Sequence, residues 1–83
     1  MSAGSFFNER NQECRWEIIT AHDYNGESYS GGEAEDMLQR ADTIFYSLEV
    51  GSETYYRYIN GPFEDMGSLE SAIENEEDFY VGG

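Results

Sequence analysis

The chain has 83 residues, 18 Asp and Glu against four arginines, no lysine, and a formal net charge of −14. Such an excess repels phosphate, which argues against direct binding to nucleic acid or to an anionic membrane. With Cys14 as the one cysteine, composition also excludes an intramolecular disulfide and a cysteine metal cluster.

A 16% aromatic content and a single proline, Pro62, set the chain apart from disordered acidic segments, which are poor in aromatics and rich in Pro and Lys. The expectation is one small folded domain, near the size at which a core alone gives only a few kcal/mol, roughly 3–5. No run approaches the ~20 apolar residues of a membrane span, and Met1 to Gln12 lack the apolar stretch of a signal peptide. A reducing cytoplasm is the expected compartment.

Residues 1–12 are mostly small or polar and are read as a flexible N-terminal arm, with Phe6 and Phe7 docking, ahead of a single acidic α+β domain over 13–83. From Cys14 to Ala21, Cys14, Trp16, Ile18 and Thr20 alternate with Arg15, Glu17 and Ile19, the period of a half-buried strand. The segment from Asp23 to Gly32 is turn-rich, and Ser30 with Glu33 has capping-box spacing. A helix is expected there, with Ala34, Met37, Leu38 and Ala41 on one apolar stripe.

Two β-branched and aromatic runs, Thr43 to Val50 and Glu53 to Asn60, flank Gly51-Ser52, a pair suited to a two-residue hairpin turn. The register that follows sets Val50 opposite Glu53, Leu48 opposite Tyr55, Tyr46 opposite Arg57 and Ile44 opposite Ile59. Phe45 then meets Tyr58, and Ser47 meets Tyr56, on a face that needs a cover. Asn60-Gly61-Pro62 ends the strand. Met66, Leu69 and Ile73 recur at helical spacing, with Asp65 or Ser68 as N-cap, and Asp78 to Val81 fit a short edge strand. The order is β-α-β-β-α-β, as in ferredoxin-like domains, with a three-stranded antiparallel sheet and two helices as the simpler alternative.

Catalytic parts are not evident. His22, the one histidine, adjoins Asp23, but no suitably placed nucleophile or oxyanion hole accompanies them. Asp23 to Ser28 imitates the start of a calcium loop, yet its glycine stands fourth rather than sixth and Ala34 occupies the twelfth place. No catalytic residue, metal ligand or cofactor is expected.

Charge is what remains. Thirteen of the 18 acids and two of the four arginines lie in residues 33–83. Carboxylates one helical turn apart are about 5–6 Å apart, and alternate strand residues about 6.6–6.8 Å, spacings of the same order as successive phosphates on a nucleic acid strand. The candidate partner-binding carboxylates are Glu33, Glu35, Asp36, Asp42, Glu49, Glu53, Glu64, Asp65, Glu70, Glu74, Glu76, Glu77 and Asp78, with Tyr56 and Tyr58 supplying dry contact.

In length, charge and lack of catalytic residues, though in no sequence motif, the chain resembles the small acidic anti-defence inhibitors of bacteriophages and mobile elements: DNA-mimic, antirestriction and anti-CRISPR proteins. The resemblance implies a non-enzymatic, phage-encoded inhibitor that binds a basic nucleic-acid-binding groove of a host defence complex, a CRISPR effector or restriction nuclease. A second reading is a small acidic protein–protein interaction adaptor or subunit, with homodimer formation open.

Overall fold

A computed structural model of the protein describes residues 3–77. It is α+β: five antiparallel strands with two helices. The strands are β1 (Ala3–Phe7), β2 (Glu13–Asp23), β3 (Ser28–Ser30), β4 (Ala41–Val50) and β5 (Glu53–Asn60); the helices are α1 (Gly32–Asp36) and α2 (Met66–Glu77). The sheet runs β1-β2-β4-β5, and β3 shares the β1 side of β2 further along that strand. A ferredoxin-like domain would set Glu53–Asn60 parallel to the first long strand. Here Ala41–Val50 lies antiparallel beside it instead, so the three central strands follow the simpler alternative.

The segment read as a flexible arm is the edge strand β1, paired with β2 from Ala3↔Glu17 to Phe7↔Glu13. Its loop is organised by one residue, Asn8, whose side-chain oxygen accepts from the amides of Arg10 (2.9 Å) and Gln12 (3.0 Å). The Asn8 Nδ2 donates to Gln12 Oε1 at 3.0 Å, and its backbone N–H donates to the Gln12 carbonyl at 3.1 Å. A buried asparagine that meets both ends of a loop does the work of a turn, and it leaves Asn11 in the left-handed region at φ 61. Strand pairing fixes this segment together with the docking of Phe6. Phe6 enters the core and Phe7 does not.

Alternation along β2 holds for Cys14, Trp16 and Ile18, all buried, and then breaks. A bulge at Ile19 turns Ile19 and Thr20 away from the core and returns Ala21 to it. Thr20, expected inside, therefore pairs with Phe45 on the outer face. The β4–β5 hairpin has the expected register at every pair, with Gly51 at φ 62.

The first helix is shorter than expected. Ser30 ends β3 and caps nothing; Gly31 precedes α1 without a side-chain hydrogen bond. Met37 falls in the bridge region at φ −99 and ψ 4, a 3-10 turn follows over Leu38–Arg40, and Ala41 already pairs with Asp23. The ladder between β2 and β4 thus claims the last residue of the stripe, although Ala34, Met37, Leu38 and Ala41 are all buried as the stripe required. Tight backbone approach closes this end of the sheet: the Gly61 amide donates to the Asp42 carbonyl at 2.9 Å, and a Cβ on Gly61 would run into the Ala41 carbonyl.

Helix α2 begins as expected from Asp65, whose Oδ1 accepts from the Ser68 amide at 2.8 Å. Its Leu69 and Ile73 are fully buried and join one core with Trp16, Ile18, Ile44, Tyr46 and Leu48 of the sheet and with Ala34 and Leu38. Burying Leu69 and Ile73 contributes about 1.5–3 kcal/mol apiece. Both helices cover the same face of the sheet, and among the described residues nothing covers the other face. The edge strand expected at Asp78 to Val81 lies outside the described residues.

Candidate functional site

The covered side of the sheet gathers carboxylates from segments far apart in sequence. Glu33, Glu35 and Asp36 come from α1, Glu64 and Asp65 from the turn before α2, and Glu74 and Glu76 from α2 itself. Glu35, Asp36, Glu64 and Asp65 line one hollow of about 380 Å³ with Leu38 and Gln39, and the Gln39 Nε2 donates to the Glu64 carbonyl at 3.2 Å. This places two acidic pairs, 28 residues apart in the chain, across a single mouth. Among the described residues no group of three or more His, Cys, Asp or Glu side chains is placed to hold a metal ion.

The remaining candidate carboxylates do not join this layer. Glu49 projects from the bare face and is ion-paired with Arg15. Glu53 sits at the hairpin end and accepts from the Tyr55 hydroxyl at 2.8 Å. Asp42 is exposed at the start of β4. The side chain of Glu77, the last residue of α2, and the whole of Asp78 lie outside what is described.

Glu70 has a different role from the one expected. It is half-buried, and its Oε2 accepts from the Trp16 indole N–H at 3.2 Å. A Cβ on Gly4 would collide with this carboxylate and with the Trp16 ring, so β1, β2 and α2 meet at one contact that needs a glycine. Glu70 is thereby an anchor of the helix to the sheet. Sequence spacing alone put it on the outward side of α2.

Tyr56 and Tyr58 stand on the bare face, opposite the acidic layer. The two sets approach each other at the outer edge of β5, where Glu76, Tyr56 and Tyr58 line a hollow of about 670 Å³ that also reaches Arg57. Arg57 rests over the Tyr55 ring at 5.0 Å.

The residues weighed for catalysis and metal binding make local contacts. The Asp23 Oδ1 accepts from the amides of Asn25 (2.9 Å) and Glu27 (3.0 Å), which makes it the organiser of the β2–β3 turn. His22 Nε2 lies 3.2 Å from the Thr20 hydroxyl, and its ring meets Phe45 edge-on. Cys14 is buried, its thiol 3.6 Å from the Gln12 carbonyl. Two tyrosines titrate above the ordinary value of 10.0, Tyr29 because its hydroxyl donates to Glu27 and Tyr55 because its hydroxyl donates to Glu53.

No helix among the described residues is long and apolar enough to cross a membrane. No protein-family model matches the chain, and neither the curated proteins nor the solved structures give a match.

Proposed function

We propose that this chain is a non-enzymatic inhibitor that occupies a basic nucleic-acid-binding groove of a bacterial defence complex, a CRISPR effector or a restriction nuclease, through the carboxylates beside its two helices. The observation that supports the reading is the gathering of acids from residues 33–36, 64–65 and 74–76 on one side of a body 38 Å long and about 20 Å across. Over 38 Å a DNA duplex carries roughly 22 phosphates, at one per about 1.7 Å, and a single strand about half as many. The seven carboxylates on this side amount to about two thirds of the single-strand number. In a groove lined by Arg and Lys, such a surface would replace phosphates without offering a backbone to cut.

Glu33, Glu35, Asp36, Glu64, Asp65, Glu74 and Glu76 make the contact in this reading. Glu70 holds the helix in place behind them, and Tyr56 and Tyr58 adjoin at the β5 edge. The experiment is affinity capture from a bacterial lysate at low and high salt. A basic nucleic-acid-binding protein or complex retained at low salt and shed at high salt is expected. Recovery of no such protein at low salt would count against the proposal.

A further inference from the structure

Asparagine followed by glycine occurs twice in the chain, at Asn25-Gly26 and at Asn60-Gly61. In such a pair the glycine amide nitrogen can reach the asparagine side-chain carbonyl, because no Cβ restricts the backbone or shields the nitrogen. The fold gives the two pairs opposite surroundings. Asn25-Gly26 lies in the β2–β3 turn, where residues 24–27 are all exposed, and Gly26, at φ 86, has open space where a Cβ would stand. Asn60-Gly61 ends β5. Asn60 is paired with Thr43, the Gly61 amide donates to the Asp42 carbonyl at 2.9 Å, and Gly61 sits so close to Ala41 that a Cβ would strike its carbonyl. Two residues on, the Phe63 amide donates to the Leu38 carbonyl at 2.9 Å and the Phe63 side chain packs against the core.

We propose that Asn25 is a self-modification site, at which the folded chain deamidates to aspartyl and isoaspartyl forms while Asn60 keeps its amide. Base in the solvent removes the Gly26 N–H proton. The nitrogen then bonds to the Asn25 Cγ, the bond from Cγ to Nδ2 breaks, and Nδ2 leaves as ammonia after taking a proton from water. Water opens the resulting cyclic imide. Breaking the new N–Cγ bond leaves aspartate, and breaking the original peptide bond leaves isoaspartate, with the chain routed through Cβ. The balance is one water consumed and one ammonia released.

The turn must open before the nitrogen can attack, since the Gly26 N–H donates to the Asp23 carbonyl at 3.1 Å and the Asp23 Oδ1 holds the amides of Asn25 and Glu27. Those bonds are exposed, so water replaces them as they break, and such turns sit at the low end of local opening energies. At Asn60, opening gives up strand pairing, a wedged glycine and part of the Phe63 packing. Conversion in the folded chain should therefore run at least about tenfold faster at Asn25 than at Asn60, equivalent to about 1.4 kcal/mol of easier opening. Each conversion takes the net charge from −14 to −15. The isoaspartyl form also lengthens the backbone of the turn that sets His22 opposite Ser28, and β3 leads through Gly31 into α1 with Glu33, Glu35 and Asp36. Conversion at Asn25 thus loosens the strand ahead of these carboxylates. The site itself does not depend on what they bind.

Peptide mapping by mass spectrometry tests this on the full chain, incubated at mildly alkaline pH in heavy-oxygen water, with one sample native and one in denaturant. Dividing the native rate at each site by its rate in denaturant removes the influence of neighbouring residues in sequence. In the native sample Asn25 should take up heavy oxygen and yield isoaspartate while Asn60 stays an amide; in denaturant both should convert. Asn25 that stays an amide in the native chain while converting in denaturant overturns the proposal, as does Asn60 converting as fast as Asn25 in the native chain. On isoelectric focusing the aged wild type should gain a more acidic form, and an Asn25→Ser variant aged alongside should not. A variant that gains the acidic form at the wild-type rate overturns the assignment to Asn25.

Discussion

Replacing Gly4 with alanine adds one methyl group to β1 at the place where three elements meet. The new Cβ collides with the Glu70 carboxylate and the Trp16 indole, so either the helix carboxylate leaves or β1 shifts. If Glu70 swings out, the indole N–H loses a charged acceptor, a bond of about 1.5–3 kcal/mol. If the contact stays overpacked, the strain is about 1–3 kcal/mol. Either route costs about 1–3 kcal/mol in a domain whose whole stability, at about 0.05–0.15 kcal/mol per residue, is roughly 4–12 kcal/mol. At about 4–8 °C per kcal/mol for a chain of this size, the melting temperature should fall by roughly 4–24 °C. Thermal melts followed by far-ultraviolet circular dichroism and by the single tryptophan, Trp16, read the loss globally and at the contact itself. In a double-mutant cycle, the effect of Gly4→Ala should shrink on a Glu70→Ala background, where the carboxylate is already gone. A variant that melts within a degree or two of the wild type would refute the reasoning and restore the view of residues 1–12 as a loose arm.

Other substitutions separate binding from folding. Changing Glu35, Asp36, Glu64 and Asp65 to their amides lowers the net charge from −14 to −10 and keeps an N-cap acceptor at residue 65. The melting temperature should hold or rise, while at about 0.2–1 kcal/mol per exposed pair affinity for a basic partner, measured by calorimetry, should fall by roughly four- to several-hundred-fold. Unchanged affinity would remove this hollow from the interface. Asn8→Ala leaves the β1–β2 loop without its organiser and should cost about 1–3 kcal/mol in a denaturant melt. Because Tyr29 and Tyr55 hold their protons more tightly when folded, the stability they contribute is complete below pH 10.0 and is lost as pH rises through their raised values. An ultraviolet titration should show Tyr29 and Tyr55 ionising late, and Tyr29→Phe and Tyr55→Phe should each remove one late-ionising group.

The β4–β5 hairpin was legible in full because a two-residue turn fixes register and a period of two fixes the face, so Gly51-Ser52 determined every pair from Thr43 to Asn60. Helix α2 was legible for a similar reason: Asp65 caps it, and Leu69 and Ile73 sit one turn apart. The stripe of Ala34, Met37, Leu38 and Ala41 correctly named buried residues but overestimated the helix, because burial is shared by a helix, a 3-10 turn and a strand. Only the ladder between β2 and β4 decides where one ends, and that pairing is non-local. The bulge at Ile19 has no local signature, which is why Thr20 was assigned to the wrong face. β1 was missed because Ala3, Gly4 and Ser5 are poor strand formers; the reason for a glycine there is a helix carboxylate 66 residues later. The same non-local contact took Glu70 out of the candidate interface, while the sign and the C-terminal bias of the charge were plain from composition.

The central proposal is tested most directly by competition. A basic nucleic-acid-binding protein captured by this chain is loaded with labelled DNA or RNA, and the chain is titrated in. Displacement of the nucleic acid by the wild type is expected, with the amide variant of Glu35, Asp36, Glu64 and Asp65 displaced to higher concentration and the dependence on that chain fading as salt rises. Formation of a ternary complex that keeps its nucleic acid would contradict occupation of the groove.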